Sequence, residues 1–115
     1  MISFLPDCSN AAVIARYGES AVLYTAVDGE KRAECVFTVE GSRLDFLALN
    51  ADRLSFLAQG LIRASLAYGA ARNAYTAYAP AELAPEDFQA LGFIKKDGSF
   101  YAEIPDILLN CNDNH

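Results

Sequence analysis

The chain has 115 residues, 53% of them apolar and 21% charged, with a formal net charge of −6. This composition fits one compact domain and excludes intrinsic disorder and a second hydrophobic core. Nine basic residues against fifteen acidic ones leave little from which to build a phosphate-binding surface, so no nucleic acid is expected as a partner. The single histidine, His115, is the last residue, which excludes a His-activated nucleophile and a two-histidine metal site; no metal is expected. Cys8, Cys35 and Cys111 are odd in number and lack C-x-x-C spacing, and they read as free thiols in a reducing compartment. The first ten residues have no basic region. The longest apolar stretch is broken by Gln59, Arg63 and Arg72, so a cytoplasmic protein with no membrane span is expected.

A short strand over residues 2–5 is closed by Pro6 and Asp7, since proline cannot donate to a continuing ladder. Ser9 and Asn10 offer an N-cap for a helix from Ala11 to Tyr17, and Gly18 stops it. Residues 21–27 alternate as a strand, and Asp28-Gly29 turns the chain into a second strand from Lys31 to Glu40. Gly41-Ser42 turns it again into Arg43 to Asn50, which completes an antiparallel meander of three strands.

The period then changes. Leu54, Leu57, Leu61, Ala64 and Tyr68 recur at steps of three and four, which predicts a helix over 55–72 with Asn73 as its left-handed terminator. A strand over 74–78 comes next, then a helix from Pro85 to Leu91 ended by Gly92. A hairpin of 93–96 and 99–104 closes the fold before Pro105. Residues 1–109 form one domain in this reading, and 110–115 a polar tail. The fold class is α/β with a mixed sheet: a meander, a β-α-β crossover that should be right-handed and parallel, and a C-terminal hairpin.

This order, together with the phrase Phe88-Gln89-Ala90-Leu91-Gly92-Phe93, resembles the GNAT superfamily of N-acetyltransferases over roughly residues 20–104. The resemblance implies acetyl-CoA as acyl donor and an amine as acceptor. In that family the strand before the long helix runs into a loop of the pattern Arg or Gln, two residues, Gly, one residue, Gly or Ala. Its backbone N–H groups and the helix N-terminus hold the CoA pyrophosphate. The pattern falls on Arg53, Leu54, Ser55, Phe56, Leu57 and Ala58, with Phe56 in place of the central glycine. Leu49, at the end of the preceding strand, and Gly60, two residues beyond the pattern, complete the cofactor-binding set that the resemblance implies. Inside a helix, however, a glycine more often marks close packing than a ligand.

The family commonly uses a tyrosine as the acid for the leaving thiolate. The matching position is Phe88, which has no proton to give, and the family's asparagine seven residues earlier is Ala81. Tyr78, at the end of the short strand, is a candidate for the substitute acid, and Asp45 and Glu34 are candidates for the base. Family members also place two helices between their first two strands, whereas 9–20 has room for one. A slow or inactive acyltransferase is the expected function, with a non-catalytic binding domain of the same fold as the alternative. Six tyrosines and seven phenylalanines suggest that a homodimer buries part of the aromatic surface.

Overall fold

In a computed structural model, residues 2–51 and 55–112 are described. The elements are β1 (Ile2–Asp7), α1 (Ala11–Tyr17), β2 (Ala21–Asp28), β3 (Lys31–Glu40), β4 (Arg43–Asn50), α2 (Ser55–Ala70), β5 (Thr76–Pro80), α3 (Pro85–Leu91), β6 (Ile94–Lys96), β7 (Ser99–Glu103) and α4 (Ile104–Asn112). All seven strands lie in one sheet of order β1-β2-β3-β4-β5-β7-β6. The turns are where the residues require them: Gly29 and Gly41 take φ values of 64° and 60°, which an L side chain rarely adopts. Asn10 caps α1 through its side-chain oxygen, which accepts from the Val13 N–H at 3.1 Å.

β4 and β5 are the parallel pair in this sheet, joined by α2 as the crossover. Their pairing is confined to Arg43↔Thr76, Leu44↔Ala77 and Asp45↔Tyr78. On its other edge β4 pairs with β3, but the register shifts: Phe37 faces Phe46 while Val36 faces Ala48. Leu47 is thus the extra residue of a β-bulge, which bends a strand and re-aims the residues beyond it. From Phe46 onward β4 is outside its three-residue register with β5, and the two strands part.

One sheet face is covered by α2, α3 and α4 around a core built from Phe37, Leu44, Phe46, Leu57, Leu61, Leu66, Phe88, Phe100 and Ile104, each at most 1% exposed. Strand alternation puts Cys35 and Phe37 on that face and Glu34, Val36 and Thr38 on the other. There α1 packs across β2 with no fully buried residue of its own.

Besides β1, which is not closed by Pro6 and Asp7 but pairs them with Tyr24 and Leu23 as an edge strand that tolerates proline, three expectations need correction. The strand predicted over 74–78 is β5 at Thr76–Pro80, because the end of α2 uses the preceding N–H groups. Ala74 N–H reaches Gly69 O at 2.9 Å and Asn73 N–H reaches Ala70 O at 3.1 Å, the paired bonds of a Schellman terminator, with Asn73 left-handed at φ 71°. For the same reason α2 stops at Ala70 and not at Arg72. Thirdly, the segment from Ile104 is neither strand end nor tail: it is α4, reaching Asn112. Pro105 suits the first turn of a helix, and Ile104 and Ile107, at 0% and 2% exposure, turn one side of that helix into the core.

The buried side of α2 also differs in detail. Leu57, Leu61, Ile62, Ser65 and Leu66 are each at 0% exposure, while Ala64 and Tyr68 are only half-buried. Ser65 is tolerated there because its hydroxyl donates to Leu61 O at 2.7 Å and meets Cys35 Sγ at 3.2 Å, which satisfies this buried oxygen. Leu54 lies outside the described residues.

Candidate functional site

The parting of β4 from β5 sets the geometry. Two clefts flank it on the sheet. The first, of ≈ 480 Å³, runs along the β4/β5 seam and is lined by Arg43, Asp45, Leu47, Tyr78, Pro80 and Glu82, among others. The second, of ≈ 380 Å³, lies between α1 and the far ends of β3 and β4, with Arg16, Tyr17, Glu34, Ala48, Leu49 and Asn50 in its wall.

Asp45 and Tyr78 are cross-strand neighbours, and Arg43 binds both. Its Nε is 2.9 Å from Asp45 Oδ2 and its second terminal nitrogen, Nη2, is 2.9 Å from Oδ1, while the guanidinium carbon sits 3.9 Å from the Tyr78 ring centroid. Hydrogen bonding to Asp45 pushes the Arg43 pKa up. Both Asp45 oxygens therefore already accept from Arg43. Tyr78 also packs against Tyr101, centroids 5.2 Å apart.

Glu34 stands apart from this group. It faces Asn50 across the β3–β4 ladder, whereas Asp45 faces Thr38. Four strand residues separate Glu34 from Thr38, about 13 Å at the usual rise, so the two carboxylates cannot serve one amine. Among the described residues no ion pair engages the Glu34 carboxylate.

The residues expected to bind the cofactor divide in the same plain way. Arg53 lies outside the described residues, and of Ser55 only the backbone, at the start of α2, is described. Leu57 and Ala58 turn into the core at 0% and 2% exposure, which leaves only their backbone for a ligand. Phe56 is 46% exposed, with the Lys31 ammonium 5.6 Å from its ring centroid. Gly60 packs against β1: a Cβ there would fall 2.8 Å from Phe4 Cζ, a close approach that accounts for a glycine within the helix. Leu49 is half-buried, packed on the core edge opposite Cys35.

Phe88 is fully enclosed by Phe46, Phe93 and Phe100, at centroid distances of 5.2, 5.0 and 5.8 Å. The ring fills the core beneath the point where β4 leaves β5. The α1 cavity escaped sequence reasoning, because it depends on where a seven-residue helix lands on the sheet. Among the described residues no group of three or more His, Cys, Asp or Glu could hold a metal ion, and no helix is long and apolar enough to cross a membrane.

No protein-family model and no curated protein matches the chain. Solved structures do match. An acetyltransferase structure of the GNAT family from Desulfovibrio desulfuricans superposes with a TM-score of 0.69 at 9% identity, covering 90% of this chain and 99% of that one. An aminoglycoside 6′-acetyltransferase of type Ii gives 0.64 at 15% identity, covering 90% and 97%. A Bacillus subtilis acetyltransferase in complex with CoA gives 0.60 at 14%, covering 85% and 86%. Strand order, crossover and near-complete mutual coverage agree, and the chain has the fold of these GNAT acetyltransferase structures.

Proposed function

We propose that the protein is an acyl-CoA N-acyltransferase of low turnover, which takes an acetyl group from acetyl-CoA to an amine. The observation that carries this reading is the gap that opens where the β4–β5 register ends at Asp45↔Tyr78, with a bulge at Leu47 on one side and the start of α2 beyond the end of β4. A strand edge released from its neighbour presents backbone N–H and C=O groups to which an extended amide-bearing chain can bond. The first N–H groups of α2 lack intrahelical partners and favour an anion. A similar fold holds CoA in the Bacillus subtilis structure.

In this reading Glu34 accepts the proton of the attacking amine as the C–S bond gives way to a C–N bond, and Tyr78, which lies beside Asp45 and therefore also about 13 Å along the sheet from Glu34, supplies a proton to the departing thiolate through solvent. Their clefts lie on either side of the bulge, Tyr78 with Leu47 and Glu34 with Ala48. Asp45 stays paired with Arg43 and holds the Tyr78 side of the cleft together. Turnover is low because Phe88 withholds the hydroxyl expected at its position, and general acid help is worth about 10²- to 10⁴-fold.

A non-catalytic domain binding its ligand through the same gap is the second reading, and the enclosed ring of Phe88 favours it. Calorimetry with acetyl-CoA and free CoA, followed by CoA release with a panel of amines, separates the two. The first reading expects binding with turnover below about 1 s⁻¹, and the second expects binding with none. Arg53→Ala is expected to weaken CoA binding by about 1 kcal/mol or more, as for a charge-assisted contact.

A further inference from the structure

The cavity beside α1 holds two opposite charges that do not meet. Arg16, in the last turn of α1, and Glu34, on β3, both line it. Among the described residues no ion pair joins them; the Arg16 guanidinium lies instead 5.3 Å from the centroid of the neighbouring Tyr17 ring. The wall also carries the apolar residues Val13, Leu23, Val36 and Ala48, with Asn10 and Asn50 beside them. Val36 is only 6% exposed, so α1 shields this part of the sheet from solvent. Across the sheet seam the corresponding pair, Arg43 and Asp45, has closed into a direct salt bridge of 2.9 Å. The contrast is chemical: at the β4/β5 seam Arg43 and Asp45 neutralise each other, and the α1 cavity leaves room of ≈ 380 Å³ for something that bridges Arg16 and Glu34.

We propose that this cavity takes a free α-amino acid with an apolar side chain, its ammonium at Glu34, its carboxylate at Arg16 and its side chain against the apolar wall. An amine carrying a carboxylate satisfies both charges at once, and the two ionic contacts fix its orientation in a way that neither gives alone. A cation-only amine leaves Arg16 uncompensated, and a larger polar acceptor meets the apolar wall. The inference deepens the acyltransferase reading and rests on it in one respect only, that the bound amine is the acceptor. Ala48, Leu49 and Asn50 line the cavity on the stretch of β4 that has left β5, so an amine at Glu34 adjoins the proposed acyl gap. Transfer there passes one ammonium proton to Glu34, forms the amide C–N bond, breaks the thioester C–S bond and passes a second proton from nitrogen to the departing sulfur, which releases CoA as the thiol.

The test separates pocket from chemistry. Valine, leucine, methionine and phenylalanine are titrated into the full chain without CoA and followed by ligand-observed and amide NMR, each beside the amine that lacks its carboxylate. The expected result is binding of at least one amino acid, at least tenfold tighter than its decarboxylated analogue, with shifts at residues 13–17, 34–36 and 48–50. Arg16→Ala should abolish that preference; Arg16 is exposed, and an unchanged amide spectrum elsewhere confirms that the variant is folded. Equal affinity for amine and amino acid, a preference that survives in Arg16→Ala, or no binding of any of the four overturns the inference. Acetyl-CoA titrated separately keeps the two claims apart. Amino acid binding without acetyl-CoA binding refutes the acyltransferase reading alone, and acetyl-CoA binding without amino acid binding refutes the pocket assignment alone.

Discussion

Phe88 and Phe46 meet edge to face with ring centroids 5.2 Å apart, and this contact ties α3 to the strand that leaves its neighbour. Phe88 has 0% exposure, so the ring is structural and offers no acid. A tyrosine at this position would carry its hydroxyl into an apolar shell. Phe88→Tyr is expected to lose about 1–3 kcal/mol, the cost of an unsatisfied buried hydroxyl, read by denaturant unfolding. A variant as stable as the wild type would mean that the ring edge reaches a polar or open space.

Tyr78 and Glu34 carry the proposed proton transfers, and Asp45 does not. Tyr78→Phe and Glu34→Gln should each lower the rate of CoA release by about 10²-fold or more. Asp45→Asn should act on stability instead, by no more than about 1 kcal/mol, because its salt bridge is partly exposed and screened. Steady-state rates with all three proteins decide the matter; a large loss confined to Asp45→Asn would move the base to the β4/β5 seam.

Cys35 links burial to pH. Desolvation pushes its thiol up to about 12, against a lowering by its Ser65 hydrogen bond. The folded protein keeps the proton that the unfolded chain loses near the ordinary thiol value of 9.0. Its contribution is complete below pH 9.0 and is lost as pH rises toward about 12. In that window stability should fall as pH rises on account of this residue. Cys35→Ala should show a shallower fall over the same range in urea titrations. Tyr24 and Tyr68, whose pKa values are also raised by burial, add a slope of the same sign in both proteins.

Gly60 and Phe4 form a pair that a double-mutant cycle can isolate. Gly60→Ala alone must displace the Phe4 ring, since the new Cβ would lie 2.8 Å from Cζ. In a Phe4→Ala background the same change is expected to stabilise the protein by up to about 1 kcal/mol through helix propensity. A gain of equal size in both backgrounds would remove Phe4 as the reason for the glycine.

Much of this architecture is legible in the sequence where local chemistry and global fold agree. Lys31–Glu40, Arg43–Asn50 and Pro85–Leu91 have the same bounds in sequence and structure, because Asp28-Gly29, Gly41-Ser42, Pro85 and Gly92 punctuate them. Residues 104–112 mislead for the opposite reason. Pro105 ends a strand and opens a helix with equal ease, and only the burial of Ile104 and Ile107 decides between them. In the site, the replacement of a hydroxyl by Phe88 is visible from the residue itself. The Arg43–Asp45 salt bridge was implicit in alternation, since residues i and i+2 share a face. The separation of Glu34 from Asp45 was not, because it rests on which residues β3 and β4 set opposite each other across a bulge.

The central claim is that the gap between β4 and β5 holds acyl-CoA, and amide hydrogen exchange with and without acetyl-CoA tests it most directly. Millimolar acetyl-CoA should slow exchange at residues 46–50 of β4 and in the first turn of α2, and leave β1 and β6 unchanged. Absence of any protection at that concentration, or protection confined to residues away from the gap, would contradict the account.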